Sequence, residues 1–103
     1  MRRNYTRNLP KAWQSMAKVF VALGDEHRQR ILLTFERGEK LNVSRIADVS
    51  TLSRPAVSHH LKILREAGVL KKEKVGKEVF FWIDKPLLQD TLSNVLDYVK
   101  GEV

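Results

Sequence analysis

Apolar residues recur at intervals of three and four in the first third of the chain, which predicts two helices. The first runs from Leu9 to Leu23, with Pro10 tolerated in its first turn. Asp25 follows a helix-breaking glycine and is expected to cap the second helix, which Gly38 ends. The inward face of that second helix is predicted to consist of Ile31, Leu32 and Phe35.

Two further helices are predicted around a short polar turn at residues 48–51. Asn42 is expected to cap a short third helix, whose inward residues are Val43, Ile46 and Ala47. Ser53 is expected to cap a fourth helix that has Pro55 in its first turn and ends at Gly68. Its buried stripe is predicted to be Val57, Leu61 and Leu64.

The pattern changes to strands and then returns to a helix in the last third of the chain. Val69–Val75 and Glu78–Ile83 are rich in β-branched and aromatic residues and flank a tight turn at Gly76-Lys77, which predicts a hairpin. Asp84 is expected to cap a fifth helix. Five helices and one hairpin indicate a mainly α fold with a β-hairpin wing, the winged helix-turn-helix arrangement.

Composition limits this chain to one compact domain with a basic surface. With 103 residues, of which 43% are hydrophobic, we expect a single domain over 9–103 and a flexible basic arm over 1–8. A net charge of +7 favours nucleic acid or an anionic membrane as partner. No run approaches the ~20 apolar residues of a membrane span, and no signal-peptide core follows the basic start, so we expect a cytoplasmic protein. The absence of cysteine excludes disulfides and thiolate metal sites.

The third and fourth predicted helices have the arrangement that lays one helix across DNA phosphates and the next in the major groove. With its apolar stripe turned inward, the fourth helix leaves polar and basic residues outward. Expected base contacts are Arg54, Ala56, Ser58 and His59. Expected phosphate contacts are Ser53, Lys62 and Arg65, together with the hairpin lysines Lys71, Lys72, Lys74 and Lys77.

The segment 52–70, LSRPAVSHHLKILREAGVL, resembles the recognition segment of the ArsR/SmtB family of transcriptional repressors. The similarity extends from FVALGD (20–25) and RQRIL (28–32) to GKEVFF (76–81). The resemblance implies a repressor that forms a homodimer through its first and last helices. The dimer is expected to bind double-stranded DNA at a palindromic operator. The residues expected to dimerise are Leu9, Trp13, Met16, Phe20, Leu88, Leu92, Val95, Leu96 and Val99.

Metal sites known in that family are not matched by this chain. Where one family site has cysteines at the start of the third helix, this sequence has Asn42 and Ser44. Of a second site along the last helix only Asp84 matches, and one carboxylate does not hold zinc. We therefore expect no cofactor and no metal. Thr51 stands where many members have glycine, so the local geometry of that turn is expected to differ.

Other functions remain open at this point. An enzyme is disfavoured because the chain offers no cysteine, no paired carboxylates and no glycine-rich phosphate loop. A winged helix used for protein contact, or for sequence-independent nucleic-acid binding, is the main alternative. His59 and His60 are adjacent and diverge on a helix, so they do not readily share a metal, and His27 is assigned no site. An effector pocket at the dimer interface, near Trp13 or Trp82, is a third hypothesis, which the sequence does not test.

Overall fold

The computed structural model describes residues 8–102, so most of the expected arm at 1–8 lies outside the described residues. Within this range the chain forms five helices and three strands. The helices are α1 (Lys11–Leu23), α2 (Glu26–Thr34), α3 (Val43–Val49), α4 (Arg54–Glu66) and α5 (Lys85–Glu102), and the strands are β1 (Leu41–Asn42), β2 (Leu70–Val75) and β3 (Glu78–Ile83). The predicted winged helix-turn-helix architecture is confirmed.

Side-chain caps set the starts of the helices as predicted. Asp25 accepts a hydrogen bond from the backbone N–H of the third residue of α2 at 3.1 Å, and Asn42 does the same for α3 at 2.9 Å. Ser53 caps α4 through the N–H of Ala56 at 3.3 Å, and Asp84 caps α5 at 3.2 Å. Each cap satisfies a backbone donor that the helix itself leaves unpaired.

Several predicted boundaries shift by one or more residues. The first helix begins at Lys11 rather than Leu9, since Pro10 has an extended ψ of 149°. The second ends at Thr34, because Phe35 has ψ 126° and turns the chain into a loop, so Phe35 packs against the core from outside the helix. The strand predicted from Val69 begins at Leu70 because the Val69 N–H bonds back to the carbonyl of Leu64 in α4.

A third strand, which the sequence pattern did not predict, completes an antiparallel sheet of order β1-β3-β2. β1 has only two residues, Leu41 and Asn42, which pair with Phe81 and Phe80 of β3. β2 and β3 pair along their whole length, from Leu70 opposite Ile83 to Val75 opposite Glu78. The short strand therefore attaches the wing to the segment that leads directly into α3.

The hydrophobic core lies between the helices and the inner face of this sheet. The predicted α4 stripe, Val57, Leu61 and Leu64, is fully buried, with 0% exposure at each residue. Around it pack buried residues from every other element except α5, which contributes partly buried Leu87 and Leu88. α4, the second helix of the helix-turn-helix and from here called the recognition helix, is thus the centre of the core, which fixes its outer face relative to the wing. None of the helices within 8–102 has the length and apolar character needed to cross a bilayer.

Candidate nucleic-acid interface

The outer face of α4 carries the side chains expected to contact DNA bases. Arg54, Ser58 and His59 are exposed, and Ala56 is half-buried beside them. Ser53, Lys62 and Arg65, expected on phosphates, are exposed as well. All seven candidates, from the cap Ser53 along α4, therefore lie outside the buried apolar stripe of the helix, and six of them are exposed.

Arg54 has a partner that the sequence did not reveal. Its Nη2 donates a hydrogen bond to the hydroxyl of Ser44, which lies near the start of α3. This contact crosses the helix-turn-helix and holds the guanidinium at the N-terminal end of the recognition helix. A guanidinium presents five donors, so one bond to Ser44 leaves the fork available for the O6 and N7 acceptors of guanine.

The turn between α3 and α4 adopts a conformation that suits its threonine. α3 continues to Val49, two residues into the turn predicted at 48–51, and Ser50 then has an extended ψ of 155°. The Ser50 hydroxyl accepts from the N–H of Leu52 at 2.9 Å. No non-glycine residue among the described positions has positive φ, so Thr51 avoids the left-handed region that a β-branched side chain resists. The departure from glycine at this position is thus accommodated.

The wing follows α4 through a glycine-dependent joint. Gly68 has φ 87°, and its N–H bonds to the carbonyl of Arg65 at 2.9 Å. The next N–H, of Val69, reaches the carbonyl of Leu64 at 3.0 Å. These two bonds form a Schellman motif, which requires a left-handed residue at the helix end. The joint therefore fixes the direction in which β2 leaves the recognition helix.

Strand alternation divides the wing lysines between two faces. Lys72 and Lys74 lie opposite Phe81 and Val79 on the face that continues the core beneath α4. Lys71 points to the other face and approaches the Asp84 carboxylate at 3.7 Å, so it is directed toward α5. Lys77 is exposed in the turn at the tip. Lys72 and Lys74 therefore lie on the α4 side of the hairpin, and Lys71 lies on the α5 side.

The two acidic residues of the wing are both held by residues flanking Leu41. Lys40 donates to Glu73 at 3.0 Å, and the side-chain amide of Asn42 donates to Glu78 at 3.2 Å. Asn42 also caps α3, so one side chain links the wing to the helix-turn-helix. Lys40 neutralises Glu73, and both contacts help to hold the wing in its orientation. Neither was evident from the sequence, because the pairs are more than 30 residues apart.

His60 faces inward, unlike His59. Its Nδ1 lies 3.3 Å from Nη1 of Arg28, whose guanidinium also donates to the carbonyls of Val21 and Ala22 at the end of α1. Since a guanidinium cannot accept, Nδ1 accepts and the imidazole is neutral in this arrangement. Partial burial lowers the pKa of His60 below its usual value, and the positive charge of Arg28 lowers it further, against the opposing effect of Asp25. His60 thus connects α4, through Arg28 of α2, to the end of α1.

The described residues offer little to a metal ion. Between residues 8 and 102 no three His, Asp or Glu side chains are grouped so as to hold one, and the chain contains no cysteine. Asp84, the one match to the metal site of the last helix, caps α5 through the Leu87 N–H and approaches Lys71. The residues at the family's metal positions therefore do not fit such an ion.

The ends of the chain bring apolar side chains of α1 and α5 to the surface. The Trp13 and Tyr98 rings meet edge to face, with centroids 5.3 Å apart, which is a contact between α1 and α5. The candidate dimer residues that remain exposed are Leu9, Phe20, Leu92, Leu96 and Val99, at 40–52% of their full area. Trp13, Leu88 and Val95 are half-buried, and Met16, at 5%, lies beneath this surface.

Comparison with known proteins places these features in a wider group. Residues 25–72, from the α2 cap into β2, match the family model described as bacterial regulatory protein, arsR family. The transcriptional repressor SdpR of Bacillus subtilis is 32% identical over 88 residues, which cover 84% of this chain and 97% of SdpR. A homolog of the cadmium resistance transcriptional regulatory protein CadC from Staphylococcus aureus is 36% identical over 69 residues, 67% of this chain and 57% of that protein. An ArsR-like transcriptional regulator from Rhodococcus sp. RHA1 superposes with a TM-score of 0.79 at 30% identity, over 90% of this chain and 86% of that one.

Proposed function

The chain belongs to the ArsR family of winged helix-turn-helix, DNA-binding transcriptional regulators, which are not enzymes, and from this membership we propose a specific mode of action. The protein represses transcription as a homodimer that binds a palindromic operator without a metal. It acts in the cytoplasm, where it covers promoter DNA. The observation that carries the proposal is the exposed polar face of α4, held by a buried stripe on the same helix and flanked by wing lysines.

Sequence recognition is assigned to the N-terminal half of α4. Arg54 donates to a guanine, Ser58 and His59 donate or accept at base edges, and Ala56 contacts a thymine methyl. The Ser44 hydroxyl holds Arg54 before DNA arrives, which lowers the entropy lost on binding. Specificity therefore depends on a side chain that is already ordered.

Affinity that does not depend on sequence is assigned to the cations around this face. Ser53, Lys62 and Arg65 bind phosphates beside the helix, and Lys72, Lys74 and Lys77 bind them from the wing. Lys62 lies 4.0 Å from Glu66 on the same helix, an exposed pair that is worth little and releases the lysine readily. Lys71, directed toward Asp84, contributes less than the other three wing lysines.

Dimerisation is assigned to the exposed apolar stripe of α1 and α5. Leu92, Leu96 and Val99 are spaced four and three residues apart, so they form one line along α5. More than half of the area of each is exposed, although the helix is 18 residues long. A second copy of this stripe, related by a two-fold axis, would cover it and set two α4 helices about one DNA turn apart.

The proposal that the repressor acts without a metal rests on the residues of this chain and not on what its relatives do. One relative is named for cadmium resistance, so membership of the family alone decides nothing about metals. This chain has no cysteine, and Asp84 is engaged by the N–H of Leu87 and by Lys71. The proposed repressor therefore does not release DNA in response to zinc or cadmium.

The matched variants Arg54→Ala and Lys74→Ala test the division between specificity and affinity. Fluorescence anisotropy at about 150 mM salt would compare the duplex upstream of the protein's own gene with a shuffled duplex of the same composition. Arg54→Ala is expected to lose about 1 to 3 kcal/mol on the upstream duplex and much less on the shuffled one. Lys74→Ala should weaken both equally, because a phosphate contact carries no sequence information.

Equal losses on both duplexes for Arg54→Ala would overturn its assignment to a base. No binding of the wild-type protein to either duplex would favour a winged helix used for protein contact. Ser44→Ala provides an independent check, since it leaves Arg54 in place and removes only the hydroxyl that orients it. We expect Ser44→Ala to lower the preference for the upstream duplex by less than Arg54→Ala does.

A further inference from the structure

An open pocket lies between the α2–β1 loop, the end of β3 and the first turn of α5. Its volume is about 420 Å³, within the range of pockets that hold small organic molecules. Phe35, Trp82, Ile83 and Pro86 supply an apolar lining that includes two aromatic rings. A pocket of this size and lining suits a ligand with a flat hydrophobic body.

The rim of this pocket carries more cations than acids. Arg37, Lys40 and Lys85 line it, against Glu36 and Glu39. The Glu39 carboxylate accepts a hydrogen bond from the backbone N–H of Glu36 at 3.2 Å, which orients this side chain but leaves its charge in place. Within residues 8–102 neither Arg37 nor Lys85 has an ion-pair partner. Three cations against two acids leave a small positive balance in the lining, and Arg37 and Lys85 are placed to meet an anionic group on the ligand.

Lys40 connects this pocket to the wing. Its ammonium lies 4.4 Å from the centroid of the Trp82 ring and 3.0 Å from Oε1 of Glu73 in β2. A carboxylate entering the pocket would compete with Glu73 for this ammonium, and a ring stacking on Trp82 would compete for the same indole face. Occupancy would thus loosen a contact that steadies the wing.

We propose that this pocket binds a small aromatic carboxylate, with its ring against Phe35 and Trp82 and its carboxylate among Arg37, Lys40 and Lys85. Binding itself is independent of the DNA-binding role proposed above. Its consequence rests on that role: the ligand withdraws Lys40 from Glu73, frees the wing and lowers operator affinity. The site would make the protein responsive to an organic acid and not to a metal.

Phenylacetate is the probe for a direct test by ¹⁵N NMR in the absence of DNA. The indole N–H of Trp82 reports on the pocket, and that of Trp13, the only other tryptophan, serves as an internal control. We expect the Trp82 signal to shift and saturate with a Kd on the order of 1 mM, the affinity reachable by a ligand of this size. Phenethylamine, which replaces the carboxylate by an ammonium, should leave the signal in place.

Substitutions at exposed positions separate the effect of the rim charge on ligand binding from the effect of the protein's overall charge. Arg37→Ala combined with Lys85→Ala should weaken phenylacetate binding about fivefold or more, whereas Lys100→Ala, which removes a cation at the far end of α5, should not. The proposal is overturned by equal shifts with phenethylamine, by equal weakening in Lys100→Ala, or by no saturation up to about ten times the expected Kd.

The regulatory step has its own readout. Saturating phenylacetate should reduce operator affinity of the wild-type protein several-fold in anisotropy titrations and should have no such effect on Lys40→Met, which cannot pair with Glu73. Unchanged operator affinity in the wild type would refute the coupling even where the NMR titration shows binding. Because the NMR titration contains no DNA, failure of the pocket and failure of the repressor proposal give different results.

Discussion

Replacing Gly68 by alanine is expected to destabilise the joint between the recognition helix and the wing. Gly68 has φ 87°, where an L-residue costs about 1 to 2 kcal/mol relative to glycine. A Cβ built at this position also meets Cδ1 of Leu87 at 2.7 Å, which is too close for two carbon atoms. Because Leu87 packs against the core, a shift of this methyl disturbs other contacts, and we add about 1 to 2 kcal/mol for overpacking.

Gly38 offers a matched control for the backbone contribution. Its φ is 70°, but a Cβ there has nothing within 4 Å. We therefore expect Gly38→Ala to lose about 1 to 2 kcal/mol and Gly68→Ala about 2 to 4 kcal/mol. For a domain of this size these losses correspond to a decrease in Tm of roughly 5 to 10 °C and roughly 10 to 25 °C.

Thermal unfolding followed by circular dichroism would measure both variants, at one protein concentration because self-association raises the apparent Tm. Equal losses in the two variants would show that the contact with Leu87 costs nothing. An unchanged Tm for Gly68→Ala would refute the left-handed helix end itself. In a double-mutant cycle, Leu87→Ala should cost less in the Gly68→Ala background than in the wild type, since it removes the clash.

Two further predictions concern the dimer and pH. Leu96→Lys, at an exposed position of the α5 stripe, should halve the mass measured by sedimentation. Leu33→Lys, at a position 84% exposed in α2, should leave the dimer intact. A Leu96→Lys protein that remains dimeric would contradict the proposed interface. The lowered pKa of His60 means that the unfolded state binds more protons, so this residue's stabilisation is complete above its ordinary pKa of 6.5 and declines as the pH falls through that value. Between about pH 7.5 and about pH 5.5, urea unfolding should show a smaller loss of stability for His60→Gln than for wild type. An equal loss would mean that folding does not lower the pKa of His60.

Local sequence signals predicted most of the architecture because helix caps and apolar periods depend on residues only a few positions apart. The caps at Asp25, Asn42 and Ser53 form as expected, since a side-chain acceptor before an apolar stripe satisfies a donor that would otherwise be unpaired. The α4 stripe is buried as its 3.6-residue period requires. These features depend on residues close together in the chain.

Features that depend on distant residues were not predictable in the same way. β1 has two residues, too few for an alternating pattern, and exists only because β3 lies beside it. The bond from Arg54 to Ser44 and the ion pair from Lys40 to Glu73 join residues 10 and 33 positions apart. Sequence reasoning placed the wing lysines in one cluster, but the register of β2 against β3 sends Lys71 to the opposite face.

The proposed function requires that α4 recognises a specific, two-fold symmetric DNA sequence. The most direct measurement is selection of bound duplexes from a random pool by the purified wild-type protein, followed by sequencing. We predict enrichment of one imperfect palindrome whose half-sites are centred about one turn, ~10 base pairs, apart. A bound pool with the same composition as the starting pool would contradict the claim and show that the protein binds DNA through its charge alone.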